Sequence, residues 1–133
     1  MKRKRLSNTE NKLMNIFWQE DKPLTSGQLC ELAGDAQWSG SYIQKMLAGL
    51  QKHGYVEICG VEREKNHYLR QFHACLTKEE YVAELVEREG LDTAAITRVA
   101  VALVRKRRAP GQEHLIEHLE KMLEDYEKNG GET

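Results

Sequence analysis

A mainly α-helical fold with one small β-hairpin is predicted by three features of the sequence. Apolar residues recur at helical spacing in six separate stretches. Two of those stretches open with a Ser/Thr-x-x-Glu capping box. A single pair of β-branched and aromatic runs lies between the third helical stretch and the fourth.

The first helix starts at Ser7-Asn8-Thr9-Glu10, where Ser7 and Glu10 can cap each other's amides. Leu13, Met14, Ile16 and Phe17 share roughly one face, with Trp18 beside them. Pro23 ends the helix, because proline disfavours a helical residue before it. The second helix runs from about Thr25, its N-cap, to Ala33. Leu29 and Leu32 are its inward residues and Gly34 its stop. A turn over 34–38 leads to the third helix, at about 39–53. Its apolar set, Ile43, Met46, Leu47 and Leu50, follows the i, i+3, i+4, i+7 pattern of a buried stripe.

Residues 55–61 and 68–72 read as two strands, joined by a polar loop over 62–67 with Asn66 near its tip. Helix, helix, helix, hairpin is the order of a winged helix-turn-helix, with the wing at about 62–68. From Thr77-x-x-Glu80 onward the pattern is helical. One helix carries Tyr81, Val82, Leu85 and Val86 and breaks at Gly90. The next, Thr93 to about Arg107, carries Ile96, Val99, Ala100, Leu103 and Val104. Pro110-Gly111 separates it from a last helix at about 112–128, with Leu115, Ile116, Leu119, Met122, Leu123 and Tyr126 on one stripe. Short amphipathic helices behind a complete small domain need something to bury against. The expected division is therefore a winged-helix domain over 1–75 and C-terminal dimerisation helices over 76–133. Tyr81, Leu85, Ile96, Val99, Leu103, Leu115, Leu119 and Met122 form the predicted contact between two copies.

The third helix is also where a ligand would be read. Its free face carries Ser41, Tyr42, Gln44, Lys45, Ala48, Gly49 and Lys52, with no acid among them. The major groove of DNA admits one helix, and the N-terminal end of that helix meets the bases. Ser39, Ser41, Tyr42, Gln44, Lys45 and Gly49 are the predicted groove-facing positions; Gln44 can pair with adenine and Lys45 with guanine. Lys52, His53, Arg63 and Lys65 are predicted phosphate contacts. Lys2-Arg3-Lys4-Arg5 reads as a flexible basic arm. Double-stranded operator DNA and a second copy of the chain are thus the expected partners.

Charge supports this division. Residues 1–73 hold eleven Lys and Arg against eight Asp and Glu, a surplus of +3; residues 74–133 hold nine against thirteen, or −4. The overall pI of about 6.5 is below that of a typical DNA-binding domain. A winged-helix protein-interaction module without DNA binding therefore stays open as the alternative.

The same residues resemble the penicillinase repressor family, the BlaI, MecI and CopY group of bacterial winged-helix repressors. The matching stretches are Leu6-Ser7-x-x-Glu10 with Met14-x-x-Phe17-Trp18, then Trp38-Ser39-x-x-x-Ile43-Gln44-x-Met46-Leu47-x-x-Leu50-x-Lys52-x-Gly54-Tyr55-Val56, then Leu76-Thr77-x-Glu79-Glu80-Tyr81. The resemblance implies a dimer that sits on operator DNA and blocks transcription. It also implies that Ser41, Tyr42, Lys45 and Gly49 lie on the DNA-facing helix surface. Gly40, Tyr42 and Gly49 stand where the family often has Pro, Thr and Arg, and Lys65-Asn66-His67-Tyr68 replaces a Gly-Arg wing turn. A different operator is the expected result. A regulatory protease or a small inducer is the kind of input the resemblance implies. The family's Asn-Phe cleavage pair has no counterpart at Val101-Ala102-Leu103-Val104, and no Cys-x-Cys copper cluster follows Cys75.

Other chemistry finds little support. No nucleophile elbow, P-loop, zincin or dinucleotide-binding motif occurs, so no catalytic residue and no cofactor are expected. His114 and His118 are spaced i, i+4 but have no third metal ligand in sight, so no metal site is predicted. Cys30, Cys59 and Cys75 are odd in number and widely spaced, as expected for reduced thiols in the cytoplasm. Cys59 and Cys75 as redox sensors are a minor reading. No stretch approaches the roughly 18 apolar residues of a membrane span, and the basic start has no apolar run behind it. A cytoplasmic protein without membrane contact is expected.

Overall fold

A computed structural model describes residues 3–107 and 113–128. The chain divides into two compact units, Met1–Val82 and Ala83–Thr133.

The first unit begins with α1 (Asn8–Glu20), α2 (Ser26–Ala33) and a one-turn 3-10 segment, Gly34–Ala36. It continues through α3 (Gly40–Lys52), β1 (Val56–Glu64) and β2 (His67–Ala74) to the start of α4 (Lys78–Arg88). The helix starts follow from local chemistry. Ser7 and Glu10 close a reciprocal capping box on α1, as Thr25 and Gln28 do on α2. Thr77 and Glu80 make the same exchange before α4. Gly54, at φ +80°, turns the chain out of α3, and the Tyr55 amide returns to the Leu50 carbonyl at 2.9 Å.

The core of this unit is one apolar cluster. Leu13, Met14 and Phe17 come from α1, Leu29 from α2, and Ile43, Leu47 and Leu50 from α3. Tyr55, Val56 and Phe72 close it from the hairpin. Leu24, in the link between α1 and α2, is fully buried and pairs with Phe72 through two backbone hydrogen bonds of 2.9 and 2.8 Å. This short bridge adds a third edge to the two-stranded sheet and ties the hairpin to the helices. Leu32, expected to point inward, is 44% exposed. Leu29 is the buried residue of α2.

The hairpin is longer than its apolar runs suggested. Pairing extends outward to Glu64 opposite His67, so only Lys65 and Asn66 form the turn, with Lys65 at φ +53°. The projecting end buries neither face, so its residues are polar on both sides and resemble a loop in sequence.

The N-terminal segment is held rather than free over its described residues. The Arg3 guanidinium donates to the Gly54 carbonyl at 3.0 Å and lies 5.9 Å from the Tyr55 ring centre. The Tyr55 hydroxyl donates to the Lys4 carbonyl. Lys2 of the predicted arm lies outside the described residues. Leu76 and Tyr81 are buried in this same unit, which ends at Val82.

In the second unit, α5 (Thr93–Arg107) packs on α6 (Glu113–Lys128). Asp92 caps α5 by accepting from the Ala95 amide at 2.8 Å. Thr97 and Val101 are buried; the Thr97 hydroxyl is satisfied by the Thr93 carbonyl at 2.9 Å. Arg105 and Glu120 pair across the two helices at 2.5 Å. Arg108, Pro110-Gly111 and Gln112 lie outside the described residues, as does the side chain of Tyr126.

Candidate nucleic-acid interface

Helix α3 divides cleanly into two faces. Ile43, Met46, Leu47 and Leu50 are buried, and Ser41, Tyr42, Gln44, Lys45, Ala48, Gln51 and Lys52 are exposed. The helix contains no Asp or Glu. Its N-cap shows how that is achieved. Ser39 accepts from the Tyr42 amide at 3.1 Å, but the position that would carry a capping-box Glu carries Tyr42. The helix start is capped without placing a carboxylate on the exposed face.

Tyr42 is 42% exposed, and its ring meets Trp38 edge to face with centres 6.3 Å apart. Ser41 and Ser39 share a hydroxyl contact of 3.3 Å. Gly49 and His53 are half-buried at the far end of the helix. A Cβ on Gly49 would meet no heavy atom within 4 Å, so no close approach inside the protein requires glycine there.

A groove of about 370 Å³ runs between α3 and β2. Gln44, Leu47, Ala48 and Gln51 line it from α3, Tyr68, Leu69, Arg70 and Phe72 from β2, and Ser26 from α2. Arg70 is the only charged residue lining it. The groove thus offers a guanidinium, amides and hydroxyls, a donor-rich set with no carboxylate.

Of the ten predicted DNA-facing residues, eight lie on α3 or its caps, Arg63 is on β1, and Lys65 is at the turn. Only Gln44 among them reaches the groove. Ser26, Gln51, Tyr68 and Arg70 escaped the sequence reading. Phe72 was the available signal: residues two and four positions before a buried strand residue share its side of the sheet.

Residues 6–125 match the family model of the penicillinase repressors. The chain belongs to the penicillinase repressor family. As a penicillinase repressor family member it is a transcriptional regulator, not an enzyme. No curated protein sequence matches it. Similar solved structures include Streptococcus pneumoniae FabT in complex with DNA, at 17% identity and TM-score 0.44 over 92% of this chain and 74% of that one. Lactococcus lactis ZitR is another, at 14% identity and TM-score 0.35 over 92% of this chain and 79% of that one.

The remaining features of this repressor family member are plain. Among the described residues no helix is long and apolar enough to cross a membrane, and no cluster of three metal-ligating side chains occurs. His114 and His118 are exposed on α6. Cys75 lines a cleft of about 630 Å³ with Asp21, Lys22, His73 and Glu79. Partial burial pushes its thiol above the ordinary cysteine value; nearby Glu57 adds to the rise and Arg3 opposes it. That weakens the redox-sensor reading of Cys75, because the thiolate is the reactive form.

In the second unit the predicted partner-facing residues are mostly uncovered. Ile96, Val99, Leu103, Leu115 and Met122 are exposed, and Leu85 and Leu119 are half-buried. Tyr81 differs: it is buried in the first unit against Trp18 and Tyr55, so it has no free ring face to give a second copy.

Proposed function

We propose that this chain is a homodimeric repressor that grips a roughly palindromic operator, with α3 in the major groove and the β1–β2 wing beside it. One observation carries the reading: α3 is pinned by four buried apolar residues and presents an exposed, acid-free face. Tyr42, Gln44 and Lys45 supply the base-reading chemistry, and Lys52, His53, Arg63 and Lys65 the phosphate contacts. The dimer follows from the exposed apolar residues of α5 and α6, which leave water when a second copy covers them. Two-fold symmetry then sets half-sites one or more helical turns apart. Repression follows when the bound dimer occludes the promoter.

The test is selection of bound sequences from random duplexes, followed by titration at several salt concentrations. The expected result is an inverted-repeat site whose affinity falls steeply with salt. Lys45→Ala is expected to change the preferred base in each half-site without lowering thermal stability. A chain that binds no duplex at low salt overturns the proposal and favours the protein-interaction module.

A further inference from the structure

The wing carries an irregularity that sorts its charges. β1 and β2 pair in antiparallel register from Val56 opposite Ala74 to Ile58 opposite Phe72, and then shift. Cys59 has no partner, and pairing resumes with Gly60 opposite Gln71, Val61 opposite Arg70, Glu62 opposite Leu69, and Arg63 opposite Tyr68. This is a β-bulge of one residue. The Cys59 thiol lies 3.5 Å from the Gln71 carbonyl, and a Cβ on Gly60 would stand 3.2 Å from the Gln71 side-chain oxygen.

One extra residue moves every later side chain of that strand to the opposite face. Phe72 is buried and marks the face that continues into the core and the α3 groove. Its strand neighbours Arg70 and Tyr68 share that face, and so do their cross-strand partners Val61 and Arg63. The other face holds Glu62 and Glu64, together with Glu57, which pairs with His73 at 2.6 Å. In unbroken alternation from Val56, Glu62 and Glu64 would stand on the Phe72 face, and Val61 and Arg63 would turn away. The bulge therefore exchanges two carboxylates for an arginine and a valine on the side where Arg70 already lies.

We infer that the Cys59–Gly60 bulge creates a phosphodiester-binding strip on the wing. The strip runs from the α3–β2 groove outward through Arg70, Tyr68 and Arg63, with no acid on its face. Tyr68 is 69% exposed, opposite Arg63 on β1 and two residues from Arg70 on its own strand. The ligand is the sugar-phosphate backbone of duplex DNA, and the strip binds it irrespective of sequence. This inference rests on the DNA-binding reading above and adds to it a role for Arg70 and for a residue pair that touches no DNA.

The experiment measures fluorescence anisotropy of a labelled mixed-sequence duplex over a salt series. It uses the parent chain, Arg63→Gln, Arg70→Gln, Glu62→Gln, Glu64→Gln and a variant with one alanine inserted between Gln71 and Phe72, opposite Cys59. Each arginine variant should bind several-fold more weakly, with the salt slope reduced by about one. Glu62→Gln and Glu64→Gln should leave that slope unchanged. The insertion gives Cys59 a partner and removes the bulge, which turns Arg63, Arg70 and Tyr68 away from the Phe72 face and brings Glu62 and Glu64 onto it. It should weaken binding more than either arginine variant. Adding Glu62→Gln and Glu64→Gln to it should then restore part of the affinity, because the acids now face the duplex. Circular dichroism melts identify an insertion variant that does not fold; the four point variants then decide alone. The inference is overturned if Arg63→Gln and Arg70→Gln leave the slope intact, or if Glu64→Gln shifts it as far as Arg63→Gln does. A folded insertion variant that binds like the parent also overturns it. A parent that binds no duplex overturns the DNA-binding reading itself, which is a different result from a parent that binds while its wing variants do not differ.

Discussion

The Tyr81 hydroxyl accepts a hydrogen bond from the Leu6 amide at 3.2 Å, joining the first turn of α4 to the segment ahead of α1. The same ring stacks on Trp18 at 5.8 Å and meets the edge of Tyr55 at 5.8 Å. Trp18 in turn donates through its indole to the Leu76 carbonyl at 3.0 Å. Three aromatic rings thus gather the N-terminal segment, α1, the end of α3 and the start of α4 around one buried point.

Removing the hydroxyl and removing the ring should therefore differ. Tyr81→Phe leaves the buried Leu6 amide without its acceptor, a loss of about 1–3 kcal/mol. Tyr81→Ala also empties the space between Trp18 and Tyr55 and should cost roughly 3–5 kcal/mol. Urea denaturation of the two variants, followed by tryptophan fluorescence, checks the order. Equal losses would show that the ring packing contributes little.

Gly49 gives the opposite sign. It lies mid-helix, its Cβ position is open, and its φ is not positive. Gly49→Ala should stabilise the fold by roughly 0.5–1 kcal/mol, because glycine loses more backbone freedom than alanine on entering a helix. A thermal melt reads this directly as a higher Tm. Should Gly49→Ala leave stability unchanged while weakening operator binding, the glycine serves a close approach by DNA.

The helices were legible because their ends are chemically marked. Ser7, Thr25 and Thr77 cap, Gly54 and Gly90 terminate, and the α3 stripe is buried at the four positions its spacing indicates. What stayed hidden depends on pairing across the chain. The Leu24–Phe72 bridge is one residue wide and leaves no periodicity. The outer hairpin is solvated on both faces, so Glu62–Glu64 and His67 look like loop. Arg70 could be placed beside Gln44 and Gln51 only once the side of the sheet occupied by Phe72 was known. The exposed, acid-free face of α3 was thus readable from local pattern, and the groove beside it was not.

Cys75 should be a slow nucleophile near neutral pH. Its thiol is pushed up by partial burial and by Glu57, while Arg3 pulls it down. Since only the thiolate reacts, the alkylation rate of Cys75 should climb about tenfold per pH unit up to and beyond the ordinary cysteine value near 9.0. Arg3→Gln removes the one opposing charge and should slow the reaction further at any fixed pH. Peptide mapping after timed iodoacetamide treatment separates Cys75 from Cys30 and Cys59. A rate that levels off below pH 8 would contradict this.

The last prediction concerns the second unit. Leu103 on α5 is 61% exposed, and Ile96 and Val99 on the same helix, with Leu115 and Met122 on α6, are exposed too. Apolar side chains left in water on two packed helices can gain roughly 1.5–3 kcal/mol each if fully buried, and a second copy offers that burial to both chains at once. Leu103→Glu places a charge where the partner would sit. It should convert a dimer into a monomer in sedimentation velocity without unfolding the winged-helix unit, whose core contains no residue of α5. Operator affinity should fall with it, because a monomer holds one half-site and loses the gain in effective concentration that links two. A Leu103→Glu chain that sediments and binds like the parent would show that the copies meet elsewhere or not at all.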